Sequence, residues 1–177
     1  MEPIAKTNPW FDQIIIRQLV EEDLPALEWD GEYQHFRRLY AEAYQRAMRG
    51  NNILWVAEHP PRGLIGQIFI QLKCVRSELA DGNSRAYMYA FRVRHDYRKQ
   101  GLGTRLITHV ENDLIQRKFK VLTLNVAKVN SAAIRLYQRL GFLITAPEPG
   151  CWSYIDHNGD QHNVIEPAWR MEKALNT

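Results

Sequence analysis

The sequence predicts a single-domain α/β protein in which helices flank a mixed, mostly antiparallel sheet. The chain has 177 residues, a length typical of one domain. Segments with the two-residue period of strands alternate with segments of helical period. Between residues 87 and 126, a strand, a tight loop, a helix and a second strand follow one another, an order that joins parallel strands. We expect residues 1–12 to be a flexible N-terminal segment and residues 13–177 to form the domain.

The composition is that of a folded protein. Apolar residues make up 45% of the chain and charged residues 24%, which excludes extended disorder and collagen-like repeats. Cys74 and Cys151 lie far apart without a Cys-x-x-Cys pair, so neither a disulfide framework nor a thiolate metal site is expected, and we infer a reducing compartment. No apolar run suits a signal peptide or a membrane span. We therefore expect a cytoplasmic protein without a membrane partner.

Positive charge is concentrated in one segment. The net charge is +3, and residues 92–120 hold eight basic and three acidic residues, so the rest of the chain is slightly acidic. A local basic patch indicates a polyanionic ligand, whereas nucleic-acid binders usually spread Lys and Arg along a whole face. We expect no nucleic-acid partner. A solvated helix face is the alternative explanation of the patch.

The first half of the chain predicts two helices and four strands. Residues 14–16 indicate a short buried strand, followed by an acidic turn and a first helix with Asp23 as its N-cap. Apolar residues spaced by three and four predict a second helix from about His35 to Met48. ILWVAE and LIGQIFIQL around the turn HPPRG predict an antiparallel pair. The run YMYAFRV alternates, which puts four side chains on one strand face: Tyr87, Tyr89, Phe91 and Val93.

The second half predicts two helices, a strand between them and a C-terminal hairpin. An apolar stripe begins at Leu102, VLTLNV forms a strand, and Asn130 opens a helix that Gly141 ends with a left-handed cap. FLITA, a hairpin turning at Asn158-Gly159 and the strand WRMEK follow. Four residues of this hairpin have side chains of metal-ligand type: Asp156, His157, Asp160 and His162. Because the turn signal lies between them, we expect a hairpin and no metal.

The segment RKQGLGT, between a predicted strand and a predicted helix, is the strongest local motif. Glycines at 101 and 103 leave room for a phosphate, and the first free N–H groups of a helix attract an anion, so a pyrophosphate fits there. No Gly-Lys-Ser/Thr follows, which excludes a P-loop, and Leu106 replaces the third glycine of a dinucleotide fingerprint. A G-x-G taken alone is explained equally well by a tight turn.

Two blocks resemble those of the GNAT superfamily of N-acetyltransferases. RKQGLGT resembles its Arg/Gln-x-x-Gly-x-Gly/Ala signature, and NSAAIRLYQRLGF resembles its second block, Asn-x-x-Ala-x-x-Leu-Tyr-x-x-x-Gly-Phe. IIIRQLVEEDLPAL and WRMEKAL resemble the family's opening and closing elements, and residues 87–142 carry the specific part. The resemblance implies a GNAT-like fold with a splayed central pair of parallel strands.

The resemblance also implies acetyl-CoA as the acyl donor. The backbone of Phe91 and Val93 would pair with the pantetheine amides, and the side chains of Arg98 and Lys99 would lie near the nucleotide phosphates. The pyrophosphate would be held by the backbone N–H groups of Lys99, Gln100, Gly101, Leu102, Gly103 and Thr104. Asn130 matches a position that reaches the pantetheine arm in relatives, although a simple helix N-cap explains it equally well.

The family's chemistry is direct attack of an amine on the thioester. A backbone N–H from residues 91–93 would stabilise the oxyanion. Tyr137 matches the family's general acid, because a phenol of pKa about 10 stays protonated at neutral pH and can donate to the thiolate. A core aromatic is the alternative role for Tyr137. The predicted strand carries no carboxylate that could serve as the general base. Tyr87 or Tyr89 could instead order a water that accepts the proton. Glu58 and His162 are the other two candidates.

The predicted activity is therefore transfer of an acetyl group from acetyl-CoA to a primary amine, on a small molecule, a protein N-terminus or a lysine. Six acidic residues around the first helix slightly favour a cationic acceptor, although a solvated acidic helix explains them as well: Glu21, Glu22, Asp23, Glu28, Asp30 and Glu32. Cys151 and Trp152 either line the acceptor cleft or pack the late strands. The missing strand carboxylate supports a second hypothesis, a catalytically weak acyl-CoA-binding sensor or interaction module. The sequence leaves a homodimer and the acyl-chain preference open.

Overall fold

A computed structural model describes residues 9–176 of the chain. Within that range the strands are β1 Ile15–Gln18, β2 Asn52–His59, β3 Gly63–Gln71, β4 Arg85–Val93, β5 Val121–Ala127, β6 Leu143–Glu148, β7 Cys151–Ile155, β8 Gln161–Ile165 and β9 Ala168–Ala174. The α-helices are α1 Arg37–Met48, α2 Leu102–Gln116 and α3 Ser131–Arg139. Four 3₁₀ segments complete the set: Phe11–Gln13, Glu21–Glu28, Gln34–Phe36 and His95–Tyr97. None of the helices between residues 9 and 176 combines the length and apolar character that a bilayer crossing requires.

Seven strands form one mixed sheet in the order β1-β2-β3-β4-β5-β9-β6, and β7 and β8 form a separate hairpin. All neighbours in the large sheet are antiparallel except β4 and β5, which confirms the predicted mixed sheet and its parallel pair. The β4–β5 pairing runs only from Arg85↔Val121 to Met88↔Leu124. Since β4 continues to residue 93 and β5 to residue 127, the two strands separate beyond Met88 and open a cleft at the centre of the sheet.

Each face of the sheet carries its own apolar core. On one face α2 buries Leu106 and Val110 against Ile65, in the stripe that the sequence predicts. On the other face α1 buries Tyr40 and Ala43 against strand residues that include Val56 and Phe69. Successive residues of β2 alternate between the two cores, so this strand is buried on both sides. Removal of these apolar side chains from water, worth about 25 cal/mol per Å², fixes the sheet between its helices.

A bulge in β4 overturns the predicted alternation. Tyr89 pairs with Phe69 and Arg92 pairs with Gln67, so that two residues of β4 lie where β3 has one. The first of them, Ala90, has φ +49°, in the left-handed region that non-glycine residues rarely adopt. An extra residue reverses the side-chain alternation beyond it.

The consequence is that the four side chains predicted to share a face are divided between the two faces. Tyr89 packs with the α1 core, whereas Phe91 and Val93 pack with the α2 core. The Tyr87 ring is stacked parallel to the Tyr89 ring, with ring centroids 5.9 Å apart. The prediction of one common face was wrong, because a period-two pattern does not reveal an inserted residue.

The first predicted helix was also wrong in its cap and type. Glu21–Glu28 is a 3₁₀ helix with Pro25 inside it, and the residue at the N-cap position is Val20. Proline lacks the N–H that an α-helical bond would need. Asp23 instead accepts the Val20 N–H at 2.9 Å and two bonds from the Arg17 guanidinium at 2.7 and 3.0 Å. Arg17 lowers the pKa of Asp23 by these bonds.

The opening strand differs from its prediction as well. It pairs with β2 alone and forms the edge of the sheet, and Ile15 is 47% exposed, so β1 is not the buried strand that three isoleucines indicate. Of the predicted flexible segment 1–12, residues 1–8 lie outside the described residues. Beyond them, the Trp10 ring packs edge-on against Tyr97, with centroids 4.9 Å apart, and Phe11 begins the first 3₁₀ segment.

The remaining predicted elements are confirmed. The second helix, the β2–β3 pair and the hairpin turning at Asn158 and Gly159 form as expected. Asn130 caps α3 by accepting the Ala133 N–H at 3.2 Å, and Gly141 follows that helix with φ +96°. These matches arise where a local signal, a cap or a turn, agrees with the apolar pattern.

The turn before β4 depends on one carboxylate. Asp81 Oδ1 accepts the N–H groups of Asn83, Ser84 and Arg85 at 3.0, 2.8 and 2.9 Å, and Oδ2 accepts the Ser84 hydroxyl at 2.7 Å. Burial opposes ionisation, but the Arg85 and Ser84 bonds outweigh it and hold the pKa of Asp81 well below its usual range.

We expect Asp81→Ala to lower the free energy of unfolding by about 2–4 kcal/mol, because it leaves several backbone donors unpaired. Asp81→Asn keeps one acceptor oxygen and is expected to cost less. Because the folded pKa is depressed, the contribution of the charge is present above the unfolded pKa of about 4 and is lost as the pH falls below it. Urea unfolding at pH 7 and pH 3 checks both points; an Ala variant as stable as the unaltered protein would contradict the assignment.

Candidate active site

The opening between β4 and β5 leads to a cavity of about 620 Å³ on the α1 face of the sheet. Tyr87 and Tyr89 line it from β4 before the bulge, and Arg92 lines it after the bulge. Asn125 lines it from β5, one residue beyond the last parallel pair. Its volume is in the range of small-molecule sites, about 300 to 1,000 Å³.

On the other side of the opening, the glycine loop leads into α2. Lys99 and Gly101 both have left-handed backbones, with φ +59° and +93°. This geometry leaves the backbone N–H groups of Lys99 and of residues 101–104 without a carbonyl acceptor among residues 9–176. The Gln100 side chain donates to the Asp96 carbonyl at 2.9 Å, and the Leu102 side chain is 1% exposed, in the core. Leu102 therefore offers a ligand only its backbone, while Lys99 and Thr104 are exposed.

The loop lies directly against the end of β4. A Cβ atom at Gly103 would come within 3.1 Å of Phe91 Cζ, closer than an ordinary contact, so a side chain there would have to displace the Phe91 ring. Arg98 Nε donates to the Val93 carbonyl at 2.7 Å and ties the loop to the strand. The structure thus brings the predicted loop residues and Phe91 and Val93 together at the cleft.

The second motif supplies two residues of different character. The Asn130 side chain is the α3 N-cap described above, and it is exposed. Tyr137 is 8% exposed and packs between Phe91 and Phe142, with ring centroids 6.5 and 5.8 Å away. Its hydroxyl has no hydrogen-bond partner among the described residues, so it is available to a ligand at the cleft.

Three tyrosines near the cleft stay protonated at neutral pH. Burial raises the pKa of Tyr137 to about 12, with a smaller contribution from Tyr87. Burial likewise raises the pKa of Tyr87 and Tyr89 to about 12. These phenols can donate hydrogen bonds and order a water, but they do not supply a phenolate base at neutral pH.

The other candidate bases lie elsewhere. Glu58 is near the end of β2, where its carboxylate accepts from Arg17 Nε at 2.9 Å. His162 bonds Asp156 at 2.7 Å and stacks on Tyr154 in the β7–β8 hairpin. Neither lines the cavity. The acidic residues of the first 3₁₀ helix do not line it either, and two of them are paired with arginines, Asp23 with Arg17 and Glu28 with Arg37.

Three cavity residues carry no signal in the sequence. Arg92 reaches the cavity only because of the bulge. Glu148 is 7% exposed and holds Arg76 through two bonds of 2.8 and 3.0 Å. Asn125 Oδ1 is buried without a donor among residues 9–176. The sequence leaves open whether Cys151 and Trp152 line the acceptor cleft or pack the late strands. Both residues line the cavity.

Comparison with known proteins agrees with this arrangement. Residues 16–142 match the model of the Acetyltransferase (GNAT) family. The "Probable N-acetyltransferase camello" of Xenopus laevis is 30% identical over 131 residues, which are 67% of this chain and 55% of that protein. The ribosomal protein bS18-alanine N-acetyltransferase of Escherichia coli K12 is 42% identical over 57 residues, 32% of this chain and 38% of that protein. The chain thus spans about half the length, or less, of these two curated relatives.

Solved structures agree at the level of the fold. The crystal structure of the ribosomal-protein-S18-alanine N-acetyltransferase from Escherichia coli superposes with a TM-score of 0.69 at 22% identity, over 93% of this chain and 95% of that one. The GNAT-like fold predicted from the two sequence blocks is therefore confirmed. Since the family model covers well over half of the chain and includes both motifs, the protein belongs to the GNAT acetyltransferase family.

Proposed function

We propose that the protein transfers an acetyl group from acetyl-CoA to a primary amine by direct attack. The observation that carries the proposal is the parting of β4 and β5 beside a helix start whose amides have no carbonyl acceptor among residues 9–176. An acyl-CoA is long and thin and ends in a thioester. It matches a cleft with anion donors at one end and a cavity for a second reactant at the other.

The loop residues would hold the pyrophosphate. Main-chain donors from Lys99 to Thr104, together with the positive end of the α2 dipole, attract phosphate oxygens, and the absent Cβ atoms leave room for them. The Lys99 side chain is exposed beside this position and would add charge. The Arg98 guanidinium is anchored to Val93 by one nitrogen, which leaves its other donors for the nucleotide phosphates.

The strand end and Tyr137 would serve the reacting group. Backbone beyond Met88 no longer pairs with β5. We infer that Phe91 and Val93 would bond the pantetheine amides there, and that an N–H of this stretch would stabilise the oxyanion. Tyr137 would donate its proton to the departing thiolate, because its pKa of about 12 keeps it protonated. For Asn130 the observed N-cap bond favours a structural role over contact with the pantetheine arm.

Proton removal from the amine is assigned to water. Tyr87 and Tyr89 would order that water at the cavity wall, and it would carry the proton from the amine to solvent. Glu148 is a poor base, because Arg76 holds both of its oxygens and Arg170 lies 3.4 Å from one of them. An amine that is partly neutral in solution needs no stronger base.

Thiol release from acetyl-CoA in the presence of a panel of primary amines tests the proposal. We expect CoA release at a rate that depends on the amine, with the acetylated amine detected by mass spectrometry. Propionyl-CoA in the same assay tests the acyl-chain preference. Calorimetric binding of CoA with one site per chain, but no turnover of any amine, would contradict the enzyme and support the acyl-CoA sensor.

A further inference from the structure

The cavity on the acceptor side carries more positive than negative charge. Three arginines line it, Arg46, Arg76 and Arg92, whereas its two carboxylates are Glu148 and Glu166. The Arg76 guanidinium is fully engaged, because its two terminal nitrogens donate to Glu148 and its Nε donates to Glu78. No carboxylate among residues 9–176 lies within ion-pair distance of either remaining arginine, so both are open to an anion in the cavity.

Arg92 is the better placed of the two. Its Nη1 donates to the Tyr40 hydroxyl at 2.9 Å, and its guanidinium carbon lies 4.3 Å from the Tyr33 ring centroid and 5.2 Å from that of Phe36. Two rings and a hydroxyl thus fix a half-buried guanidinium, and its remaining nitrogens have no acceptor among the described residues. A fixed guanidinium with free donors matches a carboxylate in geometry and charge.

We propose that the amine acceptor also carries a carboxylate, the chemistry of an amino acid, and that Arg92 binds this carboxylate. The inference rests on the proposed function and specifies the substrate class of the same site. Arg46 lines the cavity from α1 and adds attraction from its rim, where it is exposed. The cavity volume of about 620 Å³ suits a small acceptor.

The bulge links this contact to the reaction. Arg92 lies on the part of β4, beyond Met88, whose unpaired backbone would hold the pantetheine and the thioester, and its side chain lines the cavity. An acceptor bound to Arg92 by its carboxylate would therefore have its amine near the reacting carbon. This reverses the slight preference for a cationic acceptor that the acidic first helix gives, because those carboxylates do not line the cavity.

A structural role for Arg92 is the competing explanation. In that case its contacts with Tyr40, Tyr33 and Phe36 would only join β4 to α1, and substitution would lower stability without regard to the substrate. If Arg92 binds the acceptor, its substitution lowers kcat/KM only for acceptors that carry a carboxylate. If its role is structural, the loss is the same with or without the carboxylate.

The test compares matched acceptors. Several α- and ω-amino acids are assayed beside the same compounds with the carboxylate converted to a primary amide, and the rates are normalised to the neutral fraction of each amine. We expect kcat/KM to be about 10- to 100-fold higher for the carboxylate members, which is the usual worth of a charge-assisted pair. We expect spermidine, which has no carboxylate, to be a poor acceptor.

Variants of Arg92 test whether this residue makes the contact with the acceptor's carboxylate. Arg92→Gln is expected to lower kcat/KM for the carboxylate acceptors about 10- to 100-fold, mainly through KM, and to leave their amide twins within about threefold. Arg92→Lys keeps the charge but lacks the paired donors of the guanidinium. We expect its kcat/KM for the carboxylate acceptors to lie between those of the unaltered protein and Arg92→Gln. Arg49→Gln, an exposed arginine just after α1 and outside the cavity, is the matched control and should change neither series.

Binding distinguishes failure of this inference from failure of the proposed function. Calorimetric titration of one matched pair into the CoA-saturated protein reports the carboxylate contact without turnover. Tighter binding of the carboxylate member, lost in Arg92→Gln, supports the inference even if no acetyl transfer occurs. Turnover with equal preference for both members, or an equal loss for both in Arg92→Gln, would overturn it while leaving the acetyltransferase in place.

Discussion

Replacing Tyr137 with Phe is expected to lower kcat by roughly 10² to 10⁴-fold, the usual contribution of a general acid, while CoA affinity stays nearly unchanged. The change removes one hydroxyl that has no hydrogen-bond partner within the described chain, so the fold loses no bond with it. The ring remains packed between Phe91 and Phe142. Steady-state rates with the best acceptor and calorimetric titration of CoA measure the two effects separately.

The matched control is Tyr44→Phe. Tyr44 lies on α1, packs against the core on the other face of the sheet and likewise donates no observed hydrogen bond. It should leave both kcat and CoA affinity unchanged. A Tyr137→Phe variant with nearly full activity would remove the phenol from the mechanism and leave Tyr137 as a core aromatic.

The pH profile provides a second check on Tyr137. Because its folded pKa is raised to about 12, the phenol stays protonated throughout the range in which the protein can be assayed. The rate should rise with pH as the amine loses its proton and should show no alkaline decline below about pH 10. Loss of activity with an apparent pKa near 8 would contradict the assigned proton donor.

Replacing both Gly101 and Gly103 with Val is expected to weaken CoA binding at least about 100-fold, because several main-chain contacts of about 1 kcal/mol or more are lost together. At Gly101 the backbone has φ +93°, which a β-branched residue resists. At Gly103 the new Cβ would meet Phe91 Cζ at 3.1 Å, and the two branches of Val would press the Phe91 ring away from the loop. Calorimetry with CoA, with melting temperature recorded beside it, measures the loss.

Gly50→Val is the control for backbone strain. Gly50 has φ +84°, a Cβ atom added there would meet no heavy atom within 4 Å, and the residue lies after α1, away from the loop. The substitution should lower the melting temperature without changing CoA affinity. If the double variant at 101 and 103 bound CoA as tightly as the unaltered protein, the loop would not be the pyrophosphate site.

Much of the fold can be predicted from local patterns. The apolar stripe of α2, the Asn130 cap and the turn at Asn158 and Gly159 each combine a backbone preference with burial, and all three form as expected. The first helix fails because an acidic start suggests a cap, whereas Asp23 is drawn to Arg17, and Pro25 removes an α-helical donor. That competition depends on a tertiary ion pair, which spacing does not encode.

The candidate site divides in the same way. Its donor side lies in two contiguous motifs, so the loop and Tyr137 can be identified from the sequence. Its acceptor side is assembled from distant segments: Arg92 from β4, Glu148 from β6 and Arg46 from α1. No local pattern joins these residues, and the bulge that turns Arg92 into the cavity leaves no mark in the alternation of YMYAFRV.

The inserted position at Ala90 has a further consequence for how this strand tolerates change in length. Deleting that single alanine would restore an unbroken pleat in which Tyr89, Phe91 and Arg92 lie opposite Phe69, Ile68 and Gln67 in turn, so the guanidinium at position 92 would stay on the cavity face. Phe91 would likewise stay on the face that packs against α2, and only the kink and the added twist of the bulge would be lost. Loss of one residue at this point should therefore preserve which side chains reach the cavity and change only the course of the strand beyond it.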